Sequence, residues 1–188
     1  MRFLLAVCLA LAAGDASAAR VDDLAVAHSK GVFTVRGTFI LDATPAAVRA
    51  VLTDFDHLDR LTPAILESRL VQREATSSLV FTRSRACAGW FCRELRKVER
   101  VEVSDGHVVT IVASALPAQS NVTMSVTRWR ISAAGAGTRV AWESSFDPAF
   151  VVPPLLGPAL IKRALARESG VHAAAIERSA RQLRPPGG

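Results

Sequence analysis

Residues 32–63 read VFTVRGTFILDATPAAVRAVLTDFDHLDRLTP. The first ten, Val32 to Leu41, are rich in β-branched and aromatic side chains and predict a strand, ended by Asp42-Ala43-Thr44-Pro45. Thr44 before Pro45 is an N-cap with proline at the first helical position. Val48, Val51, Leu52 and Phe55 then recur at helical spacing, so a short amphipathic helix follows the strand. Asp54 to Leu61 predicts a second short helix, stopped at Thr62-Pro63 because a proline ring disfavours helical geometry in the residue before it.

Beyond Pro63 the period changes to two. Strands are expected near Ile65–Arg73, Leu79–Ala86, Phe91–Val103, His107–Ala115, Val122–Ser132 and Thr138–Phe146, separated by turn-like breaks too short for anything but antiparallel neighbours. The block from Pro153-Pro154 to about Leu183 predicts one long helix, with Leu160, Ile161, Ala164, Leu165, Val171, Ala175, Ile176 and Leu183 as its apolar stripe. The expected class is α+β: a seven-stranded curved antiparallel sheet wrapped around a long C-terminal helix, with two short helices after the first strand. A sheet with one apolar face must cover it, and only the long helix is large enough.

Upstream, Arg20 to Lys30 reads as a loose lead-in, which places residues 19–31 before a single domain at 32–183, with 184–188 as a disordered tail. The start of the chain reads as an address. Met1-Arg2 is positive, Phe3 to Ala13 is apolar and Ala16-Ser17-Ala18 is a small-residue cleavage site. The apolar run is shorter than the roughly 20 residues a spanning helix needs. The expectation is a Sec signal peptide over residues 1–18 and a periplasmic or secreted protein.

The full chain has 188 residues, half of them hydrophobic, with 23 basic against 17 acidic side chains and no tyrosine. That apolar content excludes a disordered chain. The signal peptide holds one base and one acid, so the mature 170 residues keep the charge of +6. The mature chain has two cysteines, Cys87 and Cys92, flanking Ala88-Gly89-Trp90-Phe91. In an exported protein this pair predicts a disulfide that pins a hairpin tip, and the four-residue spacing does not match a thioredoxin-type redox motif.

The order of elements, the segment DATPAAVRAVLTDFDHLDRLTP at 42–63, the hairpin RWRISAAGAGTRVAWES at 128–144 and the proline-led final helix together resemble the SRPBCC superfamily. Within it the chain is most similar to the START-related polyketide cyclase/dehydrase and lipid-transport branch, which includes coenzyme-Q-binding relatives. The resemblance spans Val32 to Leu183 and implies a helix-grip fold around a hydrophobic ligand pocket. The export signal and the cysteine pair depart from the coenzyme-Q-binding relatives.

Period two supplies the pocket candidates: Trp129, Trp142 and Phe146 from the last two strands, Leu79 and Phe81 from the Leu79–Ala86 strand, and Arg83 in phase with them as a cation for a head group or at the rim. Phe55, Leu58, Leu61 and Ile65 join them from the helical entry, and Leu160, Ala164 and Val171 from the long helix. In a meander alternate turns share one end. Trp90 and Phe91, Leu116, and Phe150, Val151 and Leu155 are therefore expected to cluster there, either as a hydrophobic mouth or as a small satellite core.

The basic excess is local. Residues 83–102 carry six bases against three acids and residues 162–184 six against two. A solvated charged face explains this, as does contact with an anionic membrane surface. No nucleic-acid motif, phosphate loop, serine nucleophile, metal cluster or cofactor site is present in the sequence. Glu168 and His172, four apart beside the helix stripe, are weak candidates for an acid/base couple, and a pair at the solvent boundary is the other reading. The sequence favours a monomeric carrier or binding protein for a hydrophobic small molecule (lipid, isoprenoid or polyketide-like) over a cyclase/dehydratase acting on a polyketide-like substrate. A protein-interaction module built on the Trp90/Phe91 tip is a third reading.

Overall fold

The computed structural model describes residues 19–88, 90–149 and 158–183. The expected signal peptide and tail, and the mouth residues Phe150, Val151 and Leu155, lie outside them, as does the side chain of Leu160. One eight-stranded antiparallel sheet dominates: β1 (Arg20–Ser29), β2 (Val32–Leu41), β3 (Ile65–Arg73), β4 (Ser77–Ala88), β5 (Phe91–Ser104), β6 (Val109–Ala115), β7 (Val122–Ala134) and β8 (Gly137–Pro148). Its order is β1-β2-β8-β7-β6-β5-β4-β3. Helix α1 (Pro45–Leu52) and a 3-10 turn at Leu58–Leu61 carry the chain from β2 to the far edge at β3. Helix α2 (Pro158–Gln182) crosses the concave face.

Two expectations are corrected. The sheet has eight strands and not seven, because the supposed lead-in forms β1, paired antiparallel to β2. Its pattern was hidden by a register shift between Asp22 and Ala25, where Asp23 takes a positive φ of 52°. A bulge of that kind breaks the two-residue period that betrays a strand. The tight β1–β2 turn uses Lys30 and Gly31, both at positive φ. The second helix is also shorter than expected, a single 3-10 turn in place of Asp54–Leu61. Asp54 and Asp56 are used otherwise: His57 Nδ1 lies 2.8 Å from Asp54, and Leu70 N–H donates to Asp56 at 2.8 Å.

Helix α1 begins as its sequence requires, with Thr44 Oγ1 accepting from Ala47 N–H at 3.3 Å. It buries Val48, Val51 and Leu52. These join Phe39, Leu41, Ile131, Val140 and, from α2, Ala173, Ile176 and Ala180 in the main core. The α2 stripe is therefore rotated from the expected one: Val171 is 40% exposed and Leu183 56%. Its C-terminal half is locked to the end of β2, where buried Glu177 accepts from Asp42 N–H at 2.8 Å and pairs with Arg181 at 3.0 Å.

Cys87 and Cys92 are directly paired across β4 and β5 and form a disulfide. The loop it closes is short, so opening it is expected to cost about 2 kcal/mol, the lower end for such bonds. Urea melts of Cys87→Ser/Cys92→Ser against the parent protein check this, and the unreduced parent should titrate no free thiol.

Candidate functional site

Register fixes which side chains face α2. On β8 these are Val140, Trp142, Ser144 and Phe146. They stand opposite Ile131, Trp129, Thr127 and Ser125 of β7, and opposite Phe39, Gly37, Val35 and Phe33 of β2. Phe146 stacks on Phe33 with ring centroids 5.4 Å apart, and Trp129 stacks on Trp142 at 5.8 Å. Gly37 packs closely here: a Cβ on it would come within 3.1 Å of Trp142 Nε1, and the ring would have to give by a few tenths of an ångström. Trp129, Trp142 and Phe146 thus lie on the inner face as expected and are only part-buried there. Phe55 and Leu61 are buried in the core, Leu58 packs against it, and Ile65 stands opposite Ser84 at the start of β3. Ala164 is part-buried on α2.

The phase of β4 is one residue out from expectation. Its buried residues are Ser78, Val80 and Thr82. Leu79, Phe81 and Arg83 stand on the opposite, outer face, where Arg69 lies 4.7 Å over the Phe81 ring and Arg83 pairs with Glu67 and Glu94 at 3.1 and 3.5 Å. Three consecutive apolar residues, Leu79-Val80-Phe81, leave the phase undetermined by hydrophobicity alone. Of the inner residues, Thr82 meets a charged pair on β5.

There Leu95, Lys97, Glu99, Val101 and Val103 form one inner row. Lys97 Nζ lies 2.7 Å from Glu99 Oε1 and 3.5 Å from Ser125 Oγ, and Thr82 Oγ1 donates to Glu99 Oε2 at 3.5 Å. The side chains of Lys97 and Glu99 are only 19% and 9% exposed. The neighbouring inner residues are small or hydroxylic: Ala113, Ala115, Thr127 and Ser144, the last two 2.9 Å apart. The sequence shows this belt only to a reader who keeps Lys97 and Glu99 in phase with Val101 and Val103 instead of assigning them to a solvated face.

On α2, Glu168 accepts from Thr62 Oγ1 at 3.1 Å and so ties the helix to the turn before β3. His172 lies against Trp129, ring centroids 5.6 Å apart. Its Nε2 and Trp142 Nε1 are buried without a hydrogen-bond partner among the described residues. Burial pushes the His172 pKa down to about 4, so the ring is neutral at ordinary pH. Glu168 and His172 therefore each have a different neighbour. Among the described residues no group of three or more His, Cys, Asp and Glu side chains is placed to hold a metal ion.

The β6–β7 turn docks on the middle of β5 and not on the β4–β5 turn: Leu116 N–H donates to Val98 O at 2.8 Å and Asn121 N–H to Arg96 O at 3.0 Å. Beyond them the disulfide-bridged tip projects. Trp90 is 79% exposed, its ring is edge-on to Phe91 at 6.2 Å, and the Arg93 guanidinium lies 4.5 Å over Phe91. Phe91 and Leu116 are part-buried.

A model of the family described as polyketide cyclase / dehydrase and lipid transport matches residues 32–184. The chain belongs to that family. The family expected from the sequence is thus the one found. Solved structures share the fold at low identity. A Thermus thermophilus protein is 16% identical with a TM-score of 0.64, over 79% of this chain and 97% of that one. A STAR-related lipid transfer protein fragment from Xanthomonas axonopodis is 16% identical with a TM-score of 0.61, over 86% and 100%. The Zhui aromatase/cyclase from Streptomyces sp. R1128 is 15% identical with a TM-score of 0.59, over 84% and 99%. No curated protein matches the chain.

Proposed function

We propose that this family member is an exported carrier or binding protein for a hydrophobic small molecule of the lipid, isoprenoid or polyketide-like class. The observation that carries the reading is the inner face of the sheet: an aromatic and aliphatic floor (Trp129, Trp142, Phe146) that passes into a single ion-paired belt (Lys97, Glu99, Thr82, Ser125). A mostly apolar surface with few polar groups suits a ligand with a long apolar body and one polar end. The body would lie along the tryptophans under α2 and the polar end would meet the belt. Binding is favoured over turnover because Glu168 is engaged by Thr62, leaving His172 neutral and without a carboxylate partner to activate it.

The disulfide, together with the leader-like residues 1–18, supports export. No helix among the described residues is long and apolar enough to cross a membrane. The exposed Trp90, with Phe91 and Arg93 beside it and the bases Arg85 and Arg96 farther down the same hairpin, fits transient contact of the tip with an anionic bilayer surface during loading.

Native mass spectrometry of the protein purified from the periplasm tests the carrier role. A bound hydrophobic molecule, released on denaturation, is the expected result. Recovery of empty protein that takes up none of the lipids, isoprenoids and polyketides offered would remove the proposal.

A further inference from the structure

A concavity of about 230 Å³ is lined by Asp23, Arg36, Thr38, Arg128, Arg130, Ala141 and Glu143, whose strand positions alternate with the inner row, and it also reaches Gly37 and Trp142. Its floor is low because Thr38 of β2 and Ala141 of β8 are paired there, next to Gly37. Its walls are long side chains: Arg36 and Arg128 stand on either side of Glu143, and Arg130 is opposite Ala141. The bulge in β1 supplies the remaining wall at Asp23.

Three guanidinium groups therefore share one basin with two carboxylates. None of Arg36, Arg128 and Arg130 has a carboxylate within 4 Å among the described residues, although nearly every other arginine on the outer side of β3–β5, such as Arg83, Arg96 and Arg100, does. Arg128 and Arg130 are neighbours on one strand face, and Arg130 has Thr110 and Ala141 as its cross-strand partners, so no residue opposite it compensates its charge. Like charges held side by side repel, and an anion between them relieves the repulsion. A guanidinium fork matches a phosphate oxygen pair better than an ammonium does.

From this geometry we infer that the outer basin is a phosphate-binding site, with Arg36, Arg128 and Arg130 as its donors. The carboxylates of Glu143 and Asp23 set its limit: the site takes a phosphate group whose charge outcompetes both, and it rejects neutral ligands. The same chemistry is offered by free phosphate or phosphomonoesters and by the headgroup of an anionic phospholipid.

Amide NMR separates the sources. The purified protein is titrated with inorganic phosphate at constant ionic strength, and separately with phosphatidylcholine vesicles with and without phosphatidylglycerol. Saturable shifts of the Gly37, Thr38 and Ala141 amides with phosphate, weakened at least tenfold in Arg128→Ala/Arg130→Ala and only partly restored by the double lysine variant, are expected for a soluble ligand. Loss of those signals only with phosphatidylglycerol vesicles, again abolished in the alanine variant, assigns the site to a headgroup. No saturable effect in either arm, or the same effect in the alanine variant or with chloride, overturns the inference. The site is independent of the carrier reading, since the alanine variant should take up hydrophobic ligands unchanged.

Discussion

Lys97→Met is expected to destabilise the protein by about 3 kcal/mol, because it leaves the Glu99 carboxylate under the sheet with only the long Thr82 contact. The double variant Lys97→Met/Glu99→Met should recover most of that loss, since two well-packed apolar side chains of similar length replace an ion pair whose attraction barely offsets its desolvation. A pair kept where an apolar pair would serve stability as well has another use, and in this account that use is to meet the polar end of a ligand. Urea melts of the parent, both single variants and the double variant check the energetics. Additive losses, with the double variant as unstable as the two singles combined, would show that the two side chains are not coupled and would remove the ion-paired belt from the account.

The second large effect is on pH dependence. His172 is neutral when folded down to about pH 4, against the ordinary 6.5, because burial disfavours its charged form. Above pH 6.5 the ring is neutral in both the folded and the unfolded chain and contributes no pH dependence. Between 6.5 and about 4 the unfolded chain takes up a proton that the folded ring refuses, so stability falls as acid is added, by about 3 kcal/mol near pH 4. His172→Phe keeps a ring against Trp129 and should lose this slope. Melts of both proteins at pH 7, 5.5 and 4.5 read the effect as a difference, which cancels the carboxylates they share. Parallel loss in the two would place the His172 ring in solvent.

The helix-capping signal at Thr44-Pro45, the turn residues and the two-residue periods of β5 to β8 are local features, and they were legible in the sequence with strand limits off by a few residues. What was not legible depends on departures from period. The Asp23 bulge concealed β1. The run Leu79-Val80-Phe81 concealed the phase of β4, which moved Leu79, Phe81 and Arg83 to the outer face. Val171 shares a helix with the buried Ala173 and Ile176 and yet faces solvent, because the helix's position over the sheet, and not its composition, sets its buried stripe. The Lys97–Glu99 pair was hidden for a different reason: charges at alternate positions ordinarily mark a wet face, and only the neighbouring valines in the same phase give the inner position away.

The central claim, that the space between sheet and α2 holds the apolar body of a ligand, is tested most directly by quenching with a brominated acyl chain, whose bromine atoms quench tryptophan only near contact. The protein has three tryptophans: Trp90 at the exposed tip, and Trp129 and Trp142 on the inner face. In Trp90→Phe, saturable quenching by dibromostearate should persist undiminished, while Trp129→Phe/Trp142→Phe should lose most of it. Quenching confined to Trp90, with the inner pair untouched at saturating probe, would contradict the account.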